Sequence, residues 1–250
     1  MIGLVRNEWK KVFLPVLLTT VLLAIAMGVL SCTIYQNYVL HYDLEAWEVG
    51  TELFSLLYPL FVVVPLCWNL YYERKNNFLL YVMPRVKIKK YLTAKWIAYA
   101  LGTLCIIVIP YILSAVALYV KPPVVPFVEN PFSHIFENAF IKTPLLYAVA
   151  LSLWRGTVSL FVMTFGFILA LYCKNIFVIL TGPFMYSILE NFVLAILCLE
   201  RLRLVVAFDP TTVNPEVVSI FSFFFGPIVL SIVIGLKAFL LSKKNAVVTI

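Results

Sequence analysis

Six apolar runs constrain this chain more than any other feature. They fall at about 12–34, 53–72, 97–119, 145–172, 176–199 and 217–241, and each is long enough to cross the hydrocarbon of a bilayer. A 63% hydrophobic composition and a mean hydropathy of +1.01 put more apolar surface into 250 residues than one water-solvated core could bury. Backbone groups in hydrocarbon have no water to bond, so each run is predicted to be helical. A closed barrel would need alternating polarity, which these runs lack. The expected fold class is all-α: a polytopic membrane protein with six transmembrane helices in one domain over residues 1–250. Pro59, Pro65, Pro110, Pro183 and Pro227 are compatible with helices of this kind.

The cations set the expected orientation. Seven of the nineteen Lys and Arg residues (Arg74, Lys75, Arg85, Lys87, Lys89, Lys90, Lys95) lie between the second and third runs. Arg6, Lys10, Lys11, Lys174, Lys237, Lys243 and Lys244 fall on the same side, whereas Lys121, Lys142, Arg201 and Arg203 flank the other. The positive-inside rule makes the first side cytoplasmic, with both termini there. Acidic Asp43, Glu45, Glu48, Glu129, Glu137, Asp209 and Glu216 are expected outside. Ile2, Val5, Trp9 and Val12 recur at helical steps opposite Arg6, Asn7 and Lys10, which predicts an interfacial amphipathic helix leading into the first span. Ala24-Ile25-Ala26 fits a small-x-small cleavage pattern, but the apolar run continues to Ile34, so an uncleaved first helix is expected.

Several chemistries find no constellation. The chain has no Gly-Lys dipeptide and therefore no phosphate-cradling loop of the ATPase kind. His41 and His134 are far apart, and no H-E-x-x-H or G-x-S-x-G occurs. Cys32, Cys67, Cys105, Cys173 and Cys198 form no C-x-x-C and read as small hydrophobes. No metal site is expected. Asn130 is placed to cap an outer amphipathic helix starting at Pro131 and running through Phe132, Ile135, Phe136, Ala139 and Phe140, the alternative being a plain loop.

Two charges lie inside spans, where they are costly and call for partners. Arg155 and Glu190 stand about 27 and about 22 Å above the turn at 173–175. Either the two form an Arg155 to Glu190 ion pair, or Arg155 snorkels outward and Glu190 bonds hydroxyls. Small residues at Ala148, Ser152 and Gly156, and at Ala94, Ala98 and Gly102, predict close helix packing.

With topology set, residues 73–96 are the one sizeable cytoplasmic loop: Glu73-Arg74-Lys75-Asn76-Asn77, a leucine-rich turn ending at Pro84, then a basic run to Thr93-Ala94-Lys95. In these residues the chain resembles the permease subunits of type-2 ATP-binding-cassette exporters, with Asn77-Phe78 where that family commonly has Gly-Thr. The amphipathic start, six spans and tiny loop between spans four and five fit the same family. The resemblance implies an ATPase-coupling segment comprising Glu73, Arg74, Phe78, Leu79, Leu80, Tyr81 and Pro84. It also implies two cytosolic ATPase subunits that use ATP and Mg, a second permease, identical or related, and no cofactor held by this chain. Phe54, Tyr58, Phe61, Phe177, Phe184 and Tyr186 are its implied cargo path. The implied role is export of a hydrophobic or amphipathic cargo, an antimicrobial peptide such as a lantibiotic foremost, from a bacterial cell membrane, without catalysis by the chain itself. An intramembrane protease or lipid-modifying enzyme, and a sensory or assembly subunit that moves nothing, are the competing classes.

Overall fold

Helices in hydrocarbon have no water for their backbone and hydroxyl groups, and many of the Ser and Thr hydroxyls here bond within their own helix. Thr20, Thr51, Thr103, Ser152 and Ser159 each bond the carbonyl four residues earlier. Ser231 returns to Pro227 and Thr19 to Pro15 in the same way, so the hydroxyl donates where proline sits in the helix. The computed structural model describes residues 1–34, 40, 42–82, 84–120, 134–213 and 218–243. Among these there is no strand, and six helices are long and apolar enough to span a membrane.

The elements are α1 (Ile2–Thr33), α2 (Glu45–Lys75), the short α3 (Phe78–Val82), α4 (Ile88–Val120), α5 (Glu137–Lys142), α6 (Pro144–Tyr172), α7 (Ile176–Ile196), the short α8 (Leu204–Phe208) and α9 (Ile220–Lys243). α1 runs unbroken from Ile2, so the amphipathic start and the first span are one helix of about 48 Å. α4 begins nine residues before the expected 97, because Ile88 to Trp96 continue the same helix. α7 stops at Ile196 rather than 199, where Cys198 adopts a left-handed φ of 54°. The expected outer helix from Pro131 through Phe132 rests on Asn130 to Phe132, which lie outside the described residues. In the described part α5 starts only at Glu137.

α2, α4 and α6 form the centre of the bundle, and α1, α7 and α9 bury narrower stripes. α4 lies along α1 on one side and α6 on the other, while α2 touches α1, α4, α6 and α7. Both small-residue stripes serve this packing. Gly156 faces Leu104 and Val108 of α4, and Gly102 faces Val16 of α1 and Leu66 of α2. The end holding the start of α1, the end of α2 and the start of α4 is called basal below, the other apical.

One further crossing tolerates no side chain at all: a Cβ on Gly50 would fall inside the backbone of Ser31, where α2 meets the end of α1. Gly50→Ala should therefore destabilise the detergent-solubilised protein by about 1–3 kcal/mol through overpacking. Gly235→Ala, where a Cβ meets open space, serves as the control. Thermal unfolding of the two variants checks the difference, which should appear only at Gly50.

Candidate functional site

At the apical end the chain turns back into the bundle. After α7, a 3-10 turn at Glu200–Leu202 leads to α8, whose five residues Leu204-Val205-Val206-Ala207-Phe208 are all buried. Both carboxylate oxygens of Glu190 accept from the Leu204 amide at 3.0 Å, which places α8 about 9 Å back from the end of α7. The indole N–H of Trp154 donates to the Ala207 carbonyl at 2.7 Å. Gly226 of α9 lies so close to Leu204 that a Cβ there would stand 2.8 Å from its Cα.

This fold-back delivers Asp209 to Arg155. The expected Arg155 to Glu190 pair is not formed: Arg155 Nη2 lies 2.7 Å from Asp209 Oδ2, and both side chains are fully buried. The reason is topological, since residues 200–213 re-enter the bundle and occupy the space between the two charges, leaving Glu190 to cap α8. The approach is ionic, with neither atom aligned for a hydrogen bond. Asp209 Oδ1 accepts from the amide and hydroxyl of Thr211, fixing the carboxylate as the cap of the turn at Pro210–Thr212. Aromatic faces complete the cage. The guanidinium carbon is 4.4 Å from the Tyr111 ring centroid, 4.8 Å from Trp47 and 5.9 Å from Phe208. Phe208 in turn stacks on Tyr58 at 3.9 Å, and Trp47 Nε1 donates to the Tyr111 carbonyl.

A second ion cluster closes the basal end. Lys95 is fully buried between Glu73 and Glu8, 3.1 Å from Glu8 Oε2. Lys11 lies 2.6 Å from Glu8 Oε1 and 3.0 Å from Glu73 Oε1, and the Tyr91 hydroxyl donates to Glu73 Oε2 at 2.8 Å. Two cations and two carboxylates thus tie α1, α2 and α4 together. Directly beside them is α3, with Lys11 Nζ 5.0 Å from the Phe78 ring centroid. α3 is anchored by buried Leu79, whereas Phe78, Leu80, Tyr81 and Pro84 are exposed. Arg74 donates to the Cys173 carbonyl at the α6 to α7 turn, so it braces the bundle. Of the expected coupling residues, Glu73, Arg74 and Leu79 are therefore engaged within the chain. Phe78, Leu80, Tyr81 and Pro84 face outward.

The implied cargo residues divide as well. Phe54 and Tyr58 are buried, and the Tyr58 stack leaves its ring no free face on that side. Phe61, Phe184 and Tyr186 are half-buried, and Phe177 is exposed. Among the described residues no cluster of His, Cys, Asp and Glu could hold a metal, and the cysteines are free thiols.

Sequence reasoning put Lys95 in the basic run and Asp209 on the outer side without giving either a partner, and it passed over Glu8 and Trp47. Asp209-Pro210-Thr211 carries a readable signal, a capping Asp before Pro at the first helical position, and the apolar run Leu204 to Phe208 before it marks a segment that seeks burial. Compared with protein families, curated proteins and solved structures, the chain matches none.

Removing one partner of a buried pair strands the other, at a cost of about 3–5 kcal/mol, whereas replacing both with apolar residues restores much of it. Arg155→Met and Asp209→Leu should each be strongly destabilising singly, and the double variant should lose clearly less than their sum. Glu190→Gln combined with Arg155→Met should instead be close to additive. A double-mutant cycle on thermal unfolding in detergent measures both couplings.

Proposed function

We propose that this chain is the membrane-spanning permease subunit of an ATP-binding-cassette exporter, expelling a hydrophobic or amphipathic cargo, with antimicrobial peptides of the lantibiotic kind the favoured class. The energy comes from ATP hydrolysed with Mg by two separate cytosolic subunits that engage the basal end, and a second permease, identical or related, completes the path. The membrane is a bacterial cell membrane with the basal end at its cytoplasmic face, a side assignment that the Lys and Arg distribution supports.

The observation that carries this reading is α3. A five-residue helix, pinned by one buried leucine and presenting Phe78, Leu80 and Tyr81, sits on an ion cluster that joins three spans. A load applied to α3 reaches α1, α2 and α4 together. An apolar patch bordered by Arg85, Lys87, Lys89 and Lys90 suits a groove on a soluble partner with acidic margins. The ATPase contact is accordingly narrowed to Phe78, Leu80, Tyr81 and Pro84, with Glu73, Arg74 and Leu79 supporting them from within. For cargo, Phe61, Phe177, Phe184 and Tyr186 remain accessible, while Phe54 and Tyr58 shape the wall behind them.

Leu80→Asp places a charge in the exposed patch without touching the bundle. In cells carrying the chain and the ATPase that co-purifies with it, this variant should reach the membrane at the wild-type level yet abolish lantibiotic resistance and the stimulation of ATP hydrolysis by the peptide. Resistance retained at full strength would refute α3 as the coupling element.

A further inference from the structure

His134 stands just ahead of α5 and is gripped from several sides. Its Nε2 is 2.7 Å from Glu45 Oε1 and its Nδ1 is 3.7 Å from Glu48 Oε2, both carboxylates belonging to the first turn of α2. The imidazole stacks on Phe140 at 4.0 Å with the planes 9° apart, and Tyr42 meets it edge-on at 5.8 Å. Two residues on, Phe136 is held at φ 56°, ψ 45°, a left-handed conformation that costs a bulky residue about 1–2 kcal/mol. That strained turn lays the Phe136 ring 6.3 Å from Phe223 of α9. Ile135 and Phe136 thereby close one side of an apolar pocket of about 300 Å³, walled otherwise by Tyr147, Leu151, Trp154 and Phe224 among others. The strained turn lies next to this ionic clasp, and the Phe136 carbonyl accepts from the amides of Ala139 and Phe140 where α5 begins, so both anchor it.

We propose that His134, clasped by Glu45 and Glu48, is a pH-sensitive latch that holds the Ile135–Phe136 turn as a lid over this pocket, and that the lid is released when the imidazolium loses its proton. The charged and titratable groups around the latch come from each element packed there. Glu45 and Glu48 face it from α2 and Glu137 from α5, while Tyr147 and Arg155 of α6 and Asp209 after α8 act on Glu48. Burial alone would lower the proton affinity of His134. The hydrogen bond to Glu45 and the charges of Glu48, Glu45 and Glu137 outweigh it, so the group titrates above its ordinary 6.5. For a cation whose pKa is raised by its partners, the clasp is fully present below the ordinary value and is lost as pH climbs through the raised one. Acid closes the lid and alkali frees it. Nothing in this device depends on the transport reading.

Hydrogen exchange of the amides in 135–142, followed by mass spectrometry on the purified full chain, tests the latch against His134→Gln at matched pH, so that intrinsic exchange rates cancel. At about pH 6 the wild-type amides should exchange roughly tenfold more slowly than the variant's, and by about pH 9 the two should converge. If His134→Gln proves unstable, Glu45→Gln, which keeps the imidazole and removes its closest carboxylate, should likewise exchange faster than wild type at about pH 6 and match it at about pH 9. No gap at the lower pH, or an equal gap at both, overturns the latch. The lid itself is read with Leu151→Cys in a background freed of the native cysteines. Its alkylation by a small apolar maleimide should be faster in the His134→Gln background at about pH 6 and equal at about pH 9. Rates that match at both values would overturn the claim that the turn covers the pocket.

Discussion

A guanidinium in the interior of a membrane bundle has to be neutralised, and much of the apical architecture follows from how Arg155 achieves this. Its counterion does not come from a neighbouring span. Asp209 is carried in by a short buried segment that doubles back between α6, α7 and α9 and is tied in at several residues. The Leu204 amide is capped by Glu190, the Ala207 carbonyl by Trp154, and Phe208 adds a ring to the cage and stacks on Tyr58. The free end groups of a short helix turned into the bundle are thus met by side chains, the condition under which such excursions persist. Side chains or backbone of α2, α4, α6, α7 and α9 meet on this segment as a result.

The basal cluster solves the same electrostatic problem with a different outcome. Lys95, Glu73, Glu8 and Lys11 alternate in sign, so their charges cancel within the group, and each comes from a long helix rather than a fold-back. Since α3 leaves the end of α2 only two residues after Lys75, displacement of α3 cannot be absorbed by a loop before it reaches Glu73. Stiffness at this junction is what the proposed coupling role needs, and it also explains why Glu73 and Arg74 point inward, away from any soluble partner.

The spans were legible in the sequence because hydrocarbon imposes a length and an apolarity that few other environments demand, and Pro144–Tyr172 differs from the expected 145–172 by one residue. Small-residue spacing likewise located the contacts of Gly102 and Gly156. What escaped was tertiary. Arg155 and Glu190 were both recognisable as charges in need of partners, yet depth along two helices says nothing of a third segment between them. Asp209 was assigned to the outside because acidic residues beyond a span usually stay in water. The capping pattern that holds it and the apolar run before it are short-range signals, whereas their destination depends on packing against Gly226 and Trp154. Glu8 was passed over because the amphipathic pattern rests on Arg6, Asn7 and Lys10 and says nothing of the carboxylate beside them.

The distance in sequence between Arg155 and its counterion bears on how the protein is made. Asp209 is synthesised fifty-four residues after Arg155, which at about 5–20 residues per second is an interval of roughly 3–11 s. During that time the nascent α6 carries a positive charge that its final partner cannot yet meet, and Gly226, which completes the seat for α8, emerges later still. Until then the arginine has to borrow water, lipid phosphate or the insertion machinery. Assembly of the apical half is consequently a late, cooperative event in biogenesis, tied to the arrival of the last span.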